Sequence, residues 1–131
     1  MAKLARHFTD LETYERAASL AARLYAITAR FPYRERNRLG DQMLRSARAV
    51  PALIAEAWGR RWYTRAFREK LTQAWGESME TQAWLDQAKR CGLITEAEYG
   101  ELATEWQTIG RMLMRMIQQA PRFRGRGGPG G

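Results

Sequence analysis

Histidine and cysteine are almost absent from this sequence, and their scarcity excludes several kinds of site. His7 is the only histidine and Cys91 the only cysteine in 131 residues. No internal disulfide can form with one cysteine. A zinc site would lack ligands, and a Cys–His catalytic pair would depend on a histidine that precedes the first predicted helix. No glycine loop leads into a Lys-Ser or Lys-Thr pair that would bind phosphate. We therefore expect no catalytic residues, no metal and no cofactor, and a protein that is not an enzyme.

Long apolar runs are also missing. Arginines interrupt every apolar stretch well before the roughly 20 residues that a membrane-spanning helix requires. The first residues, Met-Ala-Lys-Leu-Ala-Arg, contain no apolar run typical of a secretory signal. We expect a cytoplasmic protein without a membrane partner.

Basic residues, in contrast, are abundant. Lysine and arginine number 22 against 14 aspartates and glutamates, which gives a formal net charge of +8. The excess is uneven, because residues 34–68 contain nine basic and three acidic side chains and residues 111–131 contain five basic and no acidic ones. Such a charge favours a polyanionic partner: RNA, DNA, an anionic membrane surface or an acidic protein.

The periodicity of apolar residues predicts four helices and no strands. Capping boxes at Thr9–Glu12 and Thr95–Glu98 mark two helix starts, and Pro32 and Pro121 follow two helix ends. The predicted helices are 9–30, 34–58, 64–90 and 95–119. We therefore predict an all-α, up-down antiparallel four-helix bundle over residues 9–120, with an N-terminal arm at 1–8 and a flexible Arg/Gly-rich tail at 121–131.

The first helix has two apolar stripes, which is one more than a monomeric bundle needs. Tyr14, Ala18 and Tyr25 belong to one of them. The other contains Leu20, Leu24, Ile27 and Phe31, and we predict that it forms the interface of a homo-oligomer.

Arginines on the second helix form the best candidate for a binding surface. At 100° per residue, Arg34, Arg38, Arg45 and Arg48 share one side, and only Asp41 and Glu56 lie on the same arc. A solvated face with salt bridges inside the chain is the alternative interpretation of such a row. The other predicted nucleic-acid-binding residues are Arg60, Arg61, Arg111, Arg115, Arg122, Arg124 and Arg126.

Two short segments favour the same function. Residues 59–63 place two arginines beside Trp62 and Tyr63, a composition suited to phosphate pairing and base stacking, although the two aromatics would equally well close the end of the bundle. Residues 124–128 are similar to arginine-glycine segments that contact RNA, and equally to a solubilising tail.

The order of several segments resembles one known family. These are Phe8-Thr-Asp-Leu-Glu, Phe31-Pro32, Leu39-Gly-Asp-Gln-Met-Leu-Arg-Ser-Ala and Val50-Pro-Ala-Leu-Ile-Ala-Glu-Ala-Trp-Gly-Arg. The chain resembles the bacterial four-helix-bundle family of rRNA intervening-sequence proteins, which includes the accessory variability determinants of diversity-generating retroelements. Leu53 and Ala57 differ from the asparagine and glycine that are typical of this family.

The resemblance implies a homopentameric barrel with a basic outer surface and, for the retroelement members, association with a reverse transcriptase and nucleic acid. We therefore expect a non-enzymatic accessory scaffold that binds its own copies, RNA or DNA, and a reverse transcriptase. The alternative is an rRNA intervening-sequence protein that acts as a protein-binding module without a direct role on nucleic acid.

Overall fold

The computed structural model describes residues 4–125, and within this range it contains four long helices and no β-strand. Helix α1 is Glu12–Thr28, α3 is Thr64–Arg90 and α4 is Glu96–Gln118. Helix α2 consists of three consecutive segments: α-helical Tyr33–Glu35, π-helical Arg36–Gly40 and α-helical Asp41–Gly59. Short 3₁₀ turns at Phe8–Asp10 and Ala120–Phe123 flank the helices. The predicted all-α fold with four helices is confirmed.

Neighbouring helices run antiparallel, as their cross-helix contacts show. Helix α1 packs beside α2 and α4, and α3 packs beside the same two helices from the opposite side. Lys70 near the start of α3 pairs with Glu56 near the end of α2, whereas Arg45 pairs with Glu77 further along α3. Residue numbers therefore rise along α3 in the direction in which they fall along α2, so the bundle has the predicted up-down topology.

The core is formed by apolar stripes from all four helices. Its largest fully buried side chains include Leu24, Met43, Phe67 and Trp106, one from each helix. Burying such side chains contributes about 1.5–3 kcal/mol each, which makes this core the main source of stability.

The stripe predicted as an oligomer interface lies in this core. Leu20, Leu24, Ile27 and Phe31 are at most 8% exposed within the single chain. They are unavailable to a second chain because α1 packs between α2 and α4 and needs a broad apolar stripe to contact both. The large apolar side chain that α1 leaves exposed is Tyr25 from the other stripe, at 60%.

Only one of the two predicted capping boxes exists. Thr95 accepts a hydrogen bond from the Glu98 backbone N–H and Glu98 accepts one from the Thr95 N–H, both at 3.0 Å, as predicted. The box predicted at Thr9 is wrong. Instead, the Asp10 carboxylate accepts bonds from the backbone N–H groups of Arg6 and His7, which closes the 3₁₀ turn and delays the start of α1 to Glu12.

The C-terminal boundary of the bundle also lies later than predicted. Ala120 is buried, and the Phe123 ring stacks on Phe67 with a centroid distance of 5.2 Å. The first residues of the predicted flexible tail therefore pack on α3. Arg126 and the rest of the tail lie outside the described residues.

Candidate nucleic-acid interface

The four arginines predicted to form a ridge on α2 have different surroundings. All four are exposed, but Arg45 forms salt bridges to Glu77 at 3.3 Å and to Glu80, both from α3. The Arg48 guanidinium lies over the Tyr25 ring, 5.4 Å from its centroid. Within the described chain, Arg34 and Arg38 have no ion pair. The ridge is thus partly neutralised, as the alternative interpretation of the row expected.

The π-helical segment Arg36–Gly40 also interrupts the row. A π turn inserts one residue into an α-helix, so the residues before it are rotated by about 100° relative to those after it. It brings Gly40 against Thr28 and Phe31 of the α1 end, where an added Cβ would lie 3.6–3.7 Å from their side chains. Arg34 therefore does not continue the line of Arg45 and Arg48.

A denser group of arginines lies at one end of the bundle, which we call the basic end. Because the helices are antiparallel, the start of α1, the end of α2, the start of α3 and the end of α4 meet there. The first turn of α1 contains Glu12 and Glu15, and Glu12 lines a shallow pocket together with Arg111 and Arg115. The sequence has no aspartate or glutamate from Ala57 to Arg68 and none after Glu105. The basic end comprises Arg60, Arg61, Arg65, Arg68, Arg111, Arg115, Arg122 and Arg124.

None of these eight arginines forms an ion pair with another described residue. Arg68 donates from Nε to the Ile117 carbonyl oxygen at 3.1 Å, which ties α3 to the last turn of α4. Arg111 donates to the Thr108 hydroxyl at 3.1 Å. All are exposed except Arg61, which is half-buried.

Two of these arginines, Arg65 and Arg68, were not among the predicted site residues. They lie in the first turns of α3, and the first turn contains no acidic residue. Cations are unfavourable near a helix N-terminus because the helix dipole is positive there. This departure from the usual charge pattern was visible in the sequence and could have identified them.

Aromatic side chains accompany the arginines in the turn between α2 and α3. The Arg61 guanidinium lies 4.1 Å from the ring centroids of both Trp58 and Trp62. Its Nη1 donates to the Trp58 carbonyl oxygen at 3.0 Å, which fixes the side chain. The adjacent Tyr63 is 60% exposed.

Many of the charges elsewhere on the described chain are paired. On the α1–α4 face, Arg23 pairs with Glu101 at 3.0 Å and Glu105 at 3.2 Å, and Arg30 pairs with Glu98 at 2.6 Å. Backbone hydrogen bonding at Thr95, followed by the bond from Arg30, lowers the pKa of Glu98 below its ordinary value. Among the described residues, most of the arginines without an ion-pair partner therefore lie at the basic end.

Comparison with known proteins identifies the family. A family model described as 23S rRNA-intervening sequence protein matches residues 9–115. The chain belongs to this family. The resemblance seen in the sequence is thereby confirmed at the level of the family.

One solved structure supports the fold of this 23S rRNA-intervening sequence family member. It is a protein of unknown function from the S23 ribosomal protein family of Bacteroides thetaiotaomicron VPI-5482. It aligns with a TM-score of 0.71 and 24% identity over 81% of this chain and 98% of its own. No curated protein matches the sequence significantly.

Among residues 4–125, no group of three or more His, Cys, Asp and Glu side chains is arranged to hold a metal ion. In the same range, no helix is long and apolar enough to cross a membrane.

Proposed function

We propose that this chain is a non-enzymatic, nucleic-acid-binding accessory scaffold whose phosphate contacts are made by the basic end. The observation that carries the proposal is the group of eight arginines without ion-pair partners among the described residues, in segments that contain no acidic residue. Guanidinium groups suit phosphate because their planar donors can bind two oxygens at once. Phosphate contacts also supply most of the affinity of proteins that bind nucleic acid without reading its sequence.

The contrast between arginines favours the basic end over the α2 ridge. Arg45 already has two carboxylate partners, and binding a phosphate would require it to give up those contacts. The arginines of the basic end have no such partner among the described residues. We therefore assign the main phosphate contacts to the basic end and a secondary role to Arg34 and Arg38.

Two variants of equal charge test this assignment. One replaces Arg60, Arg65, Arg111 and Arg115 with alanine, and the matched control replaces Arg34, Arg38, Arg45 and Arg48. Fluorescence anisotropy with a labelled mixed-sequence RNA should show a loss of at least tenfold in affinity for the first variant and a clearly smaller loss for the control. Equal losses would show that net charge alone attracts RNA, and no loss in either would overturn the proposal.

The further proposal is that the scaffold serves a reverse transcriptase of a diversity-generating retroelement. It is supported by the family and by the strong positive charge. If it is correct, a reverse-transcriptase gene and a template repeat lie beside the gene for this chain, and the two proteins copurify after nuclease treatment. Insertion of the gene within an rRNA gene, without such a neighbour, would contradict this role.

A second candidate function, a protein-binding module, is favoured by a groove between α3 and α4. Trp75, Met79 and Met114 line it and are 37–40% exposed, and Trp75 lies 3.7 Å from where a Cβ of Gly110 would stand. Met79→Lys should abolish binding to a protein partner if the groove is used. If nuclease-treated chain binds that partner but no RNA, the module is the correct function.

A further inference from the structure

The aromatic residues of the basic end form a layered arrangement. The Arg61 guanidinium lies within 4.1 Å of the indoles of both Trp58 and Trp62, so it packs against each of these ring systems. Trp62 remains partly exposed, and the Cβ position of Gly125 is 4.0 Å from its Nε1 atom. Tyr63 follows directly and is 60% exposed.

Closing the end of the bundle does not account for Trp62 and Tyr63. The core at this end is already covered by Ala120 and by the stacking of Phe123 on Phe67. Trp58 packs against the buried core, but Trp62 and Tyr63 do not belong to the group of side chains that do so. The Tyr63 ring and the exposed part of Trp62 are therefore available for contacts outside the chain.

We propose that Trp62 and Tyr63 form a stacking site for unpaired nucleobases, and that the ligand of the basic end is consequently single-stranded nucleic acid. The inference rests on the proposed nucleic-acid function and specifies its ligand class. A base stacked on the exposed part of Trp62 would add one more ring to the layers of Trp58, Arg61 and Trp62. The Arg61 charge adds a cation–π contribution to those layers.

The surrounding charges suit this ligand. Arg60 and Arg65 flank the two aromatics in the sequence and are exposed, and no acidic residue lies between Ala57 and Arg68. A single strand can place its phosphates on these arginines while its bases turn towards the rings. In a duplex the bases are already paired and stacked. Duplex DNA can therefore place its phosphates on the arginines but cannot stack its bases on the aromatic rings.

The test compares single-stranded and duplex DNA of the same sequence and length by fluorescence anisotropy. Trp62→Ala and Tyr63→Ala should each weaken single-strand binding by roughly 5- to 150-fold, the effect of losing one base–aromatic stack, and leave duplex binding unchanged. Trp62→Phe, which keeps a ring, should retain most of the single-strand affinity. Circular dichroism should show native helix content in every variant.

Tyr33→Ala is the matched control. Tyr33 is also an exposed tyrosine, at 74%, and the Arg36 guanidinium lies 5.8 Å from its ring centroid, but it belongs to the opposite end of the bundle. Replacing Tyr33 should change neither the affinity for single-stranded DNA nor the affinity for duplex DNA. An equal loss in Tyr33→Ala and Tyr63→Ala would overturn the assignment of the stacking site.

The salt dependence separates stacking from phosphate contacts. Trp62→Ala should keep the wild-type slope of log affinity against log salt concentration, because no charge is lost, whereas Arg60→Ala should reduce it. If wild-type chain binds single strands and duplex equally and Trp62→Ala changes neither, the stacking proposal is wrong while the nucleic-acid function stands. If wild-type chain binds neither, the proposed function itself fails.

Discussion

At the scale of single residues, the role of an arginine depends on which acidic groups lie near it across the helix interface. Arg45 was predicted to bind nucleic acid because few acidic residues share its arc on α2, yet Glu77 and Glu80 on α3 form salt bridges with it. These partners are more than 30 positions away in the sequence, and their approach depends on how α2 and α3 pack. Such neighbours cannot be identified from spacing along one helix.

A residue-scale prediction concerns Trp106, whose side chain is fully buried while its Nε1–H has no hydrogen-bond partner within the described chain. Trp106→Ala should lower the free energy of unfolding by about 3–5 kcal/mol because it removes core contacts and leaves a cavity. Trp106→Phe should lower it considerably less, since it also removes an unsatisfied buried donor. Urea denaturation measures both. An equal loss of unfolding free energy in Trp106→Ala and Trp106→Phe would show that the unsatisfied N–H group does not destabilise the fold.

At the scale of secondary structure, the sequence predicted most boundaries well because local chemistry sets them. Helix α3 begins at Thr64 and ends at Arg90 as expected, and Gly92 follows with a φ of 71° that favours glycine. The start of α1 and the π segment of α2 were missed. The start of α1 depends on the Asp10 carboxylate, which accepts hydrogen bonds from backbone N–H groups that precede it in the chain. The π segment depends on the packing of Gly40 against α1.

The capping box of α4 gives an element-scale prediction. Thr95→Ala should lower the free energy of unfolding by about 1 kcal/mol, because the Glu98 backbone N–H loses its acceptor. Thr104→Ala is a suitable control, since this exposed threonine lies in the middle of the same helix. Thermal or urea denaturation of both variants checks the result. A loss in the control as large as in Thr95→Ala would contradict a specific effect of the cap.

The same cap predicts how stability depends on pH. The pKa of Glu98 is lowered from its ordinary value of 4.5 by the Thr95 backbone and by Arg30. Its contribution to stability is therefore complete above about pH 4.5 and is lost as the pH falls through the lower pKa of the folded state. Between about pH 6 and about pH 3, wild-type chain should lose more stability than Glu98→Gln. Equal losses would show that this carboxylate adds no acid sensitivity.

At the scale of the whole molecule, the sequence predicted the bundle and the location of much of the positive charge, but not which arginines would share an end. Residues 60–68 and 111–124 are distant in sequence and meet only because four antiparallel helices return the chain to the same end. Six of the eight arginines of the basic end were named from the sequence. The sequence favours the ridge on α2 because its members lie on one helix, where residue spacing predicts which side chains share a face.

The homopentamer remains a prediction at this scale. With Leu20, Leu24, Ile27 and Phe31 in the core, an interface between chains must use surfaces such as the one around Tyr25 on α1. Light scattering coupled to size exclusion should give a mass about five times the 15.1 kDa of one chain. The mass of a single chain at micromolar concentration would contradict the assembly.

The central claim, that arginines of the basic end neutralise phosphates, is tested most directly by a salt titration of binding. The affinity for a mixed-sequence single-stranded RNA would be measured over a range of salt concentrations for wild-type chain and for the variant that replaces Arg60, Arg65, Arg111 and Arg115 with alanine. Each phosphate contact on a single strand contributes about 0.7 to the slope of log affinity against log salt. The slope should therefore become less steep by about 3 in the variant. An unchanged slope would show that these arginines do not contact phosphate.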